Sequence, residues 1–263
     1  MTSKYNKLKK LLPKFETYAE AVKESKRRQR VLANSHRAKD RDLAAKLAMC
    51  GRKNRCKSAA CPICFMEHRM DIILELVKLS KGAKKAHVLT IINYKGLTNN
   101  ELFKVDLKKY KNTLRKQLKR VGFTGVVIGS IEFDCHPEIG VWLLHYHLLV
   151  LGDKAPIEVL RERFYSNIEP IPDRSSNIYR SVFIQKLKPE LEDKYKQLSY
   201  LVKSYCSRVE VYRTPKGKRR TKKYRLKPNE LRLSLRVMDR VGYAGLLFLY
   251  GVRRNGSKLV VIE

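Results

Sequence analysis

Two histidines lie two positions apart in an otherwise apolar stretch, VWLLHYHLLVLG, at residues 141–152. Residues at i and i+2 of a β-strand point to the same face, so a strand here would set His145 and His147 side by side. A buried imidazole needs a hydrogen-bond partner or a metal ion. The pair is therefore either a candidate metal site or two core histidines that bond to backbone or water.

A carboxylate on the preceding segment can complete such a metal site. GVVIGSIEFDC and VWLLHYHLLVLG flank the turn sequence HPEIG, which predicts a β-hairpin. A turn centred near 137–139 sets Glu132 opposite residues 144–146, although a register shift of one residue would send it to the other face. Glu132 is the expected third ligand, and Asp134 is the alternative of the same parity. Two imidazoles and a carboxylate suit Mg²⁺, Mn²⁺ or a similar ion with open coordination positions.

A tyrosine and a lysine three residues apart, in LSYLVKSYCSR, offer a nucleophile and a helper. The surrounding sequence predicts a helix, on which Tyr200 and Lys203 would share a face. A phenol has a reference pKa of about 10 and attacks poorly unaided. A cation one turn away and a metal ion polarising the target would both favour the phenolate. Tyr195 and Tyr205 have no lysine at this offset, so Tyr200 is the preferred candidate.

The chain is strongly basic, with 58 Lys and Arg residues against 25 Asp and Glu and a formal net charge of +33. Such an excess attracts polyanions, usually DNA or RNA. Two groups of basic residues are predicted to contact DNA phosphates. One surrounds the first cysteines and comprises Arg52, Lys53, Arg55 and Lys57, and the other lies in KGKRRTKKYR and comprises Lys218, Arg219, Arg220, Lys222 and Lys223.

No apolar run approaches the roughly 20 residues that are needed to span a bilayer. The basic N-terminus, MTSKYNKLKKLLPKFETY, lacks the apolar core of a secretory signal. We therefore expect a cytoplasmic protein without a membrane partner, in which thiols stay reduced.

Four of the six cysteines cluster in the pattern C-x5-C-x4-C-P-x-C, as Cys50, Cys56, Cys61 and Cys64. Because thiols in a reducing compartment do not form lasting disulfides, this clustering predicts a tetrahedral structural zinc site. His36 and His68 are weaker candidates to replace one ligand. Cys135 and Cys206 lie far away in sequence and are interpreted as structural.

The predicted elements indicate an α+β fold with an antiparallel central sheet and flanking helices. Residues 1–85 are expected to form a basic helical N-terminal region that holds the zinc module at 50–64. Residues 86–210 are expected to form the catalytic domain, with strands at 87–94 and in the hairpin and helices at 98–122 and around Tyr200. Residues 211–263 add a basic loop or ribbon and two short strands that complete this domain.

In their order along the chain, these motifs resemble those of the HUH endonucleases. HYHLLV resembles their His-hydrophobe-His motif, YLVK their Y-x-x-K motif and HVLTIIN their first motif. CGRKNRCKSAACPICFMEHR is similar to the cysteine region of the rolling-circle plasmid replication initiators within that superfamily. The resemblance runs from about Cys50 to Arg208.

This resemblance implies an HUH-like fold in which His145 and His147 bind the metal, Tyr200 is the nucleophile and Lys203 assists it. It implies a metal-dependent single-strand DNA endonuclease, or nickase, that initiates rolling-circle replication of a plasmid or phage. The products would be a 5′-phosphotyrosine and a free 3′-OH primer, with a host helicase and polymerase as partners. One departure is that residues 196–199 offer no glutamate before the tyrosine, which in some initiators activates the water that ends replication.

Two other interpretations stay open. A zinc-dependent DNA- or RNA-binding protein without chemistry would explain the charge and the cysteines, and it predicts that His145, His147 and Tyr200 are dispensable. A transposase or relaxase of the same superfamily is the second. Relaxases usually add a third motif histidine, which is missing here, and small transposases generally lack a cysteine module. GVRRNGSK at 251–258 reverses the Lys-Ser order of a phosphate-binding loop and precedes a strand, so no helicase activity is expected.

Overall fold

The computed structural model describes residues 2–51, 53–166, 181–203 and 205–262. The helices in these ranges are α1 (Thr2–Leu11), α2 (Tyr18–Ala33), α3 (Ala38–Ala48), α4 (Pro62–Ser80), α5 (Asn99–Lys104), α6 (Leu107–Arg120), α7 (Ala155–Ser166), α8 (Leu191–Tyr200) and α9 (Pro228–Leu246). The strands are β1 (Ala86–Leu97), β2 (Val126–His136), β3 (Val141–Leu151), β4 (Val182–Lys186), β5 (Arg208–Arg213), β6 (Arg219–Tyr224), β7 (Leu247–Tyr250), β8 (Val252–Asn255) and β9 (Lys258–Val261). No helix among the described residues combines the length and the apolar character that crossing a bilayer requires.

The fold is α+β, but its central sheet is mixed, which corrects the expectation of an antiparallel sheet. Its strands lie in the order β4-β1-β3-β2-β5-β6, and β7 also pairs with β2. β2 runs antiparallel to β3 and β7 but parallel to β5, through the pairing of Cys135 with Arg208. A parallel pair needs a long crossover between its strands, and the chain between β2 and β5 contains α7 and α8.

The hairpin that HPEIG predicts is formed by β2 and β3. A single 3₁₀ turn, Pro137–Ile139, joins the strands, and Gly140 follows it with a φ of 65°. Both strands are buried over almost their whole length. Because side chains alternate along a strand, one face carries core residues such as Phe133 and Tyr146, while the other carries the polar residues described below.

Three predicted helices end earlier than their sequence patterns suggest. The pattern at 98–122 forms α5 and α6, because the Asp106 side chain accepts from the backbone N–H of Lys108 and starts a new helix there. The N-terminal helical stretch likewise divides into α2 and α3. The helix around Tyr200 ends at that residue, so Lys203 follows α8 instead of sharing a helical face with it.

Helix α9 has no counterpart among the predicted elements, and the tail after it forms three short strands instead of two. Pro228 occupies its first turn, and the apolar residues Leu231, Leu235 and Met238 recur at helical spacing and are buried. Proline in the first turn and apolar residues at helical spacing are ordinary sequence signals of a helix, so α9 could have been predicted. The chain leaves the helical conformation at Gly242, whose φ is 62°, shortly before it enters β7.

Replacing Gly129 with alanine is expected to destabilise the sheet by ~3 kcal/mol. Gly129 pairs with Leu148 on one side and Phe248 on the other, and an added Cβ would lie 1.9 Å from the backbone oxygen of His147. Backbone atoms cannot rotate away, so the strands must separate. Urea unfolding measures the loss. Gly51→Ala is the matched control, since nothing lies within 4 Å of its Cβ position, and equal stability of both variants would contradict this account.

Candidate active site

The polar face of β2 and β3 brings together the two histidines and one of the two candidate carboxylates. Glu132 pairs directly with His145, and His147 lies two residues further along β3 on the same face. One ligand atom from each of these three residues lies within 4.8 Å of the others. All three side chains are buried. The trio can therefore hold a metal ion.

The two imidazoles differ in their hydrogen bonding. His147 has a partner at both ring nitrogens, since Nδ1 lies 3.2 Å from Thr90 Oγ1 and Nε2 lies 2.5 Å from Glu132 Oε1. His145 Nδ1 lies 3.8 Å from carboxylate oxygens of Glu132 and Asp134, and its Nε2 is buried with no hydrogen-bond partner among the described residues. A buried nitrogen without a partner costs free energy, and a metal ion is a partner that this donor set suits.

The charges of the trio also suit a metal ion. Burial lowers the pKa of His145 to about 4, so its ring is neutral near pH 7, the form that binds metals. Burial by itself would raise the pKa of Glu132. The nearby His147 and Lys203 outweigh this effect and hold the pKa of the carboxyl well below its usual range. Glu132 is therefore ionised despite its burial.

Tyr200 lies beside this buried trio. Its ring meets that of His147 edge to face, with centroids 5.1 Å apart and an interplanar angle of 80°. Its side chain is 50% exposed, so a large substrate can reach it. Lys203 lies outside α8, but its Nζ is 3.6 Å from the centroid of the Tyr200 ring and 2.9 Å from Glu132 Oε1. The lysine thus contacts both the candidate nucleophile and the candidate ligand.

The position of Lys203 follows from how α8 ends. The carbonyl groups of the residues just after α8 accept hydrogen bonds from side chains of other elements. The helical hydrogen-bond pattern therefore stops there. Ser130 Oγ donates to the carbonyl of Leu201 at 2.5 Å, and Arg69 Nε donates to the carbonyl of Val202 at 2.5 Å. These two bonds hold the turn that follows α8, and Lys203 is the next residue along the chain.

Asp134, the alternative ligand, has other partners. Its Oδ1 accepts from the backbone N–H of Ser207 at 2.8 Å, and its Oδ2 accepts from Lys223 Nζ at 2.6 Å. It is 1% exposed. The carboxylate that joins both histidines within ligand distance is that of Glu132. Asp134 instead links the polar face to the ribbon of β5 and β6.

No protein-family model, curated protein or solved structure matches the chain.

The four clustered cysteines converge as their spacing predicts. One Sγ from each of Cys50, Cys56, Cys61 and Cys64 lies within 4.8 Å of the others, and all four thiols are free. The Sγ atoms of Cys50 and Cys64 are 3.5 Å apart, and those of Cys56 and Cys64 are 3.8 Å apart. A tetrahedral zinc ion with Zn–S bonds of about 2.3 Å places its sulfurs about 3.8 Å from one another. The cluster can therefore hold a metal ion of this size.

Crowding pushes the thiol pKa values apart. Hydrogen bonds from Cys61 and Cys64 lower the pKa of Cys56 to about 2, whereas the bond that Cys61 gives to Cys56 raises the pKa of Cys61 to about 12. The bonds that Cys64 makes to Cys56 and Cys61 also raise its pKa. The neighbours of Cys56 thus favour its thiolate, while their own pKa values rise. A bound cation would let all four ionise.

Neither histidine proposed as a substitute ligand joins the cysteine group. His68 stacks on Tyr243, with ring centroids 4.4 Å apart, and its Nδ1 lies 3.4 Å from Arg254. His36 lines a separate cavity beside Asp40. Within the described part of the chain, the cysteine group contains only the four cysteines.

The basic residues predicted to bind DNA differ in their surroundings. Arg55 donates to the carbonyl of Gly51 and pairs with Glu67, so it braces the cysteine loop, whereas Lys53 and Lys57 are exposed. Arg52 and the side chain of Arg219 lie outside the described residues. On the ribbon of β5 and β6, Lys218, Arg220 and Lys222 are exposed, while Lys223 pairs with Asp134.

Two residues of the site were not singled out by the sequence. Thr90 orients His147 through its hydroxyl, and Ser130 holds the chain just after Tyr200. Both are polar residues in otherwise apolar strands, and that is the signal that marks them. Their partners, His147 and Leu201, lie 57 and 71 positions away in sequence, so residue spacing does not reveal these contacts.

Glu132→Gln is expected to destabilise the metal-free protein by about 3–5 kcal/mol, because it leaves the buried ammonium of Lys203 without a counter-charge. The side chains of Glu132 and Lys203 are 5% and 6% exposed. Adding Lys203→Met removes the orphaned charge and should recover much of the loss. Urea unfolding in EDTA measures both changes.

The ion pair of Lys188 and Asp193 provides a matched control, since its 2.9 Å distance equals that of Lys203 and Glu132 but its side chains are 55% and 39% exposed. Asp193→Asn should change the free energy of unfolding by less than about 1 kcal/mol. If Glu132→Gln is as mild as this control, the buried pair does not form in the folded protein.

Proposed function

We propose that this protein nicks one strand of DNA through Tyr200 and initiates rolling-circle replication in the manner of the HUH initiators. The observation that carries the proposal is an exposed phenol beside a buried trio of two imidazoles and a carboxylate. The Tyr200 ring lies 5.1 Å from that of His147. A nucleophile so close to a set of metal ligands suits covalent phosphoryl transfer. The net charge of +33 supports a nucleic acid as substrate.

His145, His147 and Glu132 would hold a divalent ion, Mg²⁺ or Mn²⁺. When bound, the ion supplies Lewis-acid polarisation of the scissile phosphate. The neutral ring of His145 and the ionised carboxylate of Glu132 are in the protonation states that ligands need. Thr90 would keep the His147 ring in orientation through Nδ1.

In the proposed step the Tyr200 oxygen attacks phosphorus, and a 5′-phosphotyrosine bond forms as the P–O3′ bond breaks. The phenol gives up its proton to solvent and the leaving 3′ oxygen takes one up, so one phosphodiester replaces another. Lys203, with its ammonium 3.6 Å from the centroid of the Tyr200 ring, would offset the developing phenolate charge. The covalent bond preserves the capacity to rejoin the strand, and the free 3′-OH would prime a host polymerase behind a host helicase.

We infer that the cysteine cluster binds zinc in a structural role. Four thiolates form a closed tetrahedral set, which leaves no coordination position for a substrate. Exposed Lys53 and Lys57 beside it would contact DNA phosphates. The two proposed metal sites are chemically distinct, since sulfur ligands favour zinc and the histidine–carboxylate set accepts Mg²⁺ or Mn²⁺.

The reaction is tested with single-stranded DNA from the replicon that encodes the protein. Protein, DNA and Mn²⁺ are mixed, and the products are run on a denaturing protein gel. We expect an SDS-resistant band that carries DNA, that is absent in EDTA, and whose DNA-linked peptide maps to Tyr200. If the DNA is linked to another residue, Tyr200 is not the nucleophile.

The principal rival is a zinc-dependent nucleic-acid-binding protein without chemistry, which the cysteine cluster and the positive charge fit equally well. It predicts tight binding of the same DNA with no covalent band on any segment of the replicon. That result would contradict the nicking proposal, and it would not contradict the proposed zinc site.

A further inference from the structure

The ribbon formed by β5 and β6 has two different faces. Directly paired residues of antiparallel strands share a face, so Tyr212 lies with its partner Arg220, and Tyr224 lies with its partner Arg208. Lys222, opposite Glu210, belongs to this same face. We call it the tyrosine face; it comprises Arg208, Glu210, Tyr212, Arg220, Lys222 and Tyr224.

The tyrosine face exposes aromatic rings among cations. Tyr212 and Tyr224 are 49% and 43% exposed, and Arg220 and Lys222 are also exposed. Lys222 Nζ lies 5.3 Å from the centroid of the Tyr224 ring. A single exposed tyrosine needs no explanation, but two on one face of a two-stranded ribbon, each beside a cation, form a ready surface for flat aromatic groups and phosphates.

The opposite face of the ribbon fastens it to the candidate active site. Val209 is buried there, and Lys223 reaches the buried carboxylate of Asp134, whose Oδ2 also lies 3.8 Å from His145 Nδ1. Asp134 is 1% exposed and the Lys223 side chain is 46% exposed, so this ion pair joins the ribbon to the buried polar face from its solvent side. The ribbon is thus joined to the strand that carries Glu132.

A groove of about 440 Å³ adjoins the ribbon between α2, α9 and the segment that leads into β5. Tyr224, Arg225 and Lys223 contribute to its walls, and so does Arg27, which pairs with Glu24 in the same wall. The groove thus adds further guanidinium groups beside the tyrosine face. Its charge is complementary to a polyanion.

We propose that the tyrosine face binds single-stranded DNA, whose bases stack on Tyr212 and Tyr224 while Arg220 and Lys222 contact the phosphates. Duplex DNA does not fit this surface, because its bases are stacked on each other and offer no free π-face to a tyrosine. This inference rests on the proposed function in one respect: the bound strand is taken to be the one that Tyr200 cuts. Binding itself requires neither the metal nor the cut.

The test compares two probes of equal length and charge, a fluorescent oligo(dT) and an abasic oligonucleotide that keeps the phosphates but lacks the bases. Anisotropy is measured in EDTA, so that no nicking takes place. The Tyr212→Ala/Tyr224→Ala variant should bind oligo(dT) about 10–100-fold more weakly and the abasic probe almost unchanged. The conservative Tyr212→Phe/Tyr224→Phe variant keeps both rings and should bind oligo(dT) like the wild type.

Equal weakening of both probes by the alanine variant would overturn the proposal, because the ribbon would then be contacting phosphates alone. Unchanged binding of both probes would overturn it as well. The covalent assay separates these failures from failure of the proposed function. Base-dependent binding without any adduct would reject nicking and keep the tyrosine face, whereas a normal adduct without base-dependent binding would do the reverse.

Discussion

A Tyr200→Phe variant is expected to lose covalent DNA adduct formation by at least about 10³-fold while it folds and binds DNA normally. Phenylalanine keeps the ring that meets His147 edge to face and that lies under Lys203 Nζ. Only the hydroxyl is removed, and at a half-exposed position it has little to do with stability. Adduct formation on a denaturing gel and anisotropy with uncleaved oligonucleotide measure the two properties separately.

Tyr205→Phe is the matched control, because this tyrosine is 56% exposed and lies only five positions further on. It should form the adduct at the wild-type rate. Should the Tyr200→Phe protein still form the adduct and the Tyr205→Phe protein fail to, the nucleophile would be Tyr205. Loss in both variants would mean that the assay follows DNA binding and not a single hydroxyl.

The hairpin that carries the histidines could be predicted because its information is local. Period-two alternation fixes which side chains share a face, and the turn sequence HPEIG fixes the register within a residue. The pairing of Glu132 with His145 falls inside the predicted window of residues 144–146. The cysteine cluster was predictable for the same reason, since all four residues lie within fifteen positions.

What the sequence could not supply are the contacts between distant segments. Lys203 was expected to reach Tyr200 along a helix, yet the helix ends and the lysine reaches both Tyr200 and Glu132 from a turn. Lys223 was predicted to bind DNA, and its pairing with Asp134 spans 89 positions. The mixed sheet has a similar cause, because the pairing of β5 with β2 depends on where a long crossover returns.

These distant contacts place a cation beside each buried carboxylate of the site. Each of the two buried carboxylates on the polar face has a lysine from another segment, Lys203 for Glu132 and Lys223 for Asp134. A carboxylate buried without a cation would take up a proton and become a poor metal ligand. Lys203, together with His147, therefore keeps Glu132 ionised in the metal-free protein, because the two hold the pKa of its carboxyl well below the usual range.

Removal of metal from the cysteine cluster is expected to unfold the segment around residues 50–64. Cys61 caps α4 by position and is fully buried, so this loop fixes where the helix begins. Structural zinc contributes about 10–16 kcal/mol of apparent binding free energy in small zinc domains. A third of that would lower the melting temperature by about 6–10 °C for a chain of this size.

The measurement is a thermal melt followed by circular dichroism, with and without a strong chelator, together with the zinc content of the purified protein. The wild type should contain one zinc ion per chain and lose stability in chelator, and Cys61→Ser should behave like the chelated protein.

Cys206→Ser is the control, because Cys206 is a free, partly buried thiol outside the cluster, and it should keep both zinc and chelator sensitivity. A wild-type protein that contains no zinc and melts identically in chelator would show that four crowded thiols sustain this loop by themselves. The opposed pKa shifts of Cys56 and Cys61 reflect the crowding of these thiols, and a bound cation would relieve it by letting them ionise.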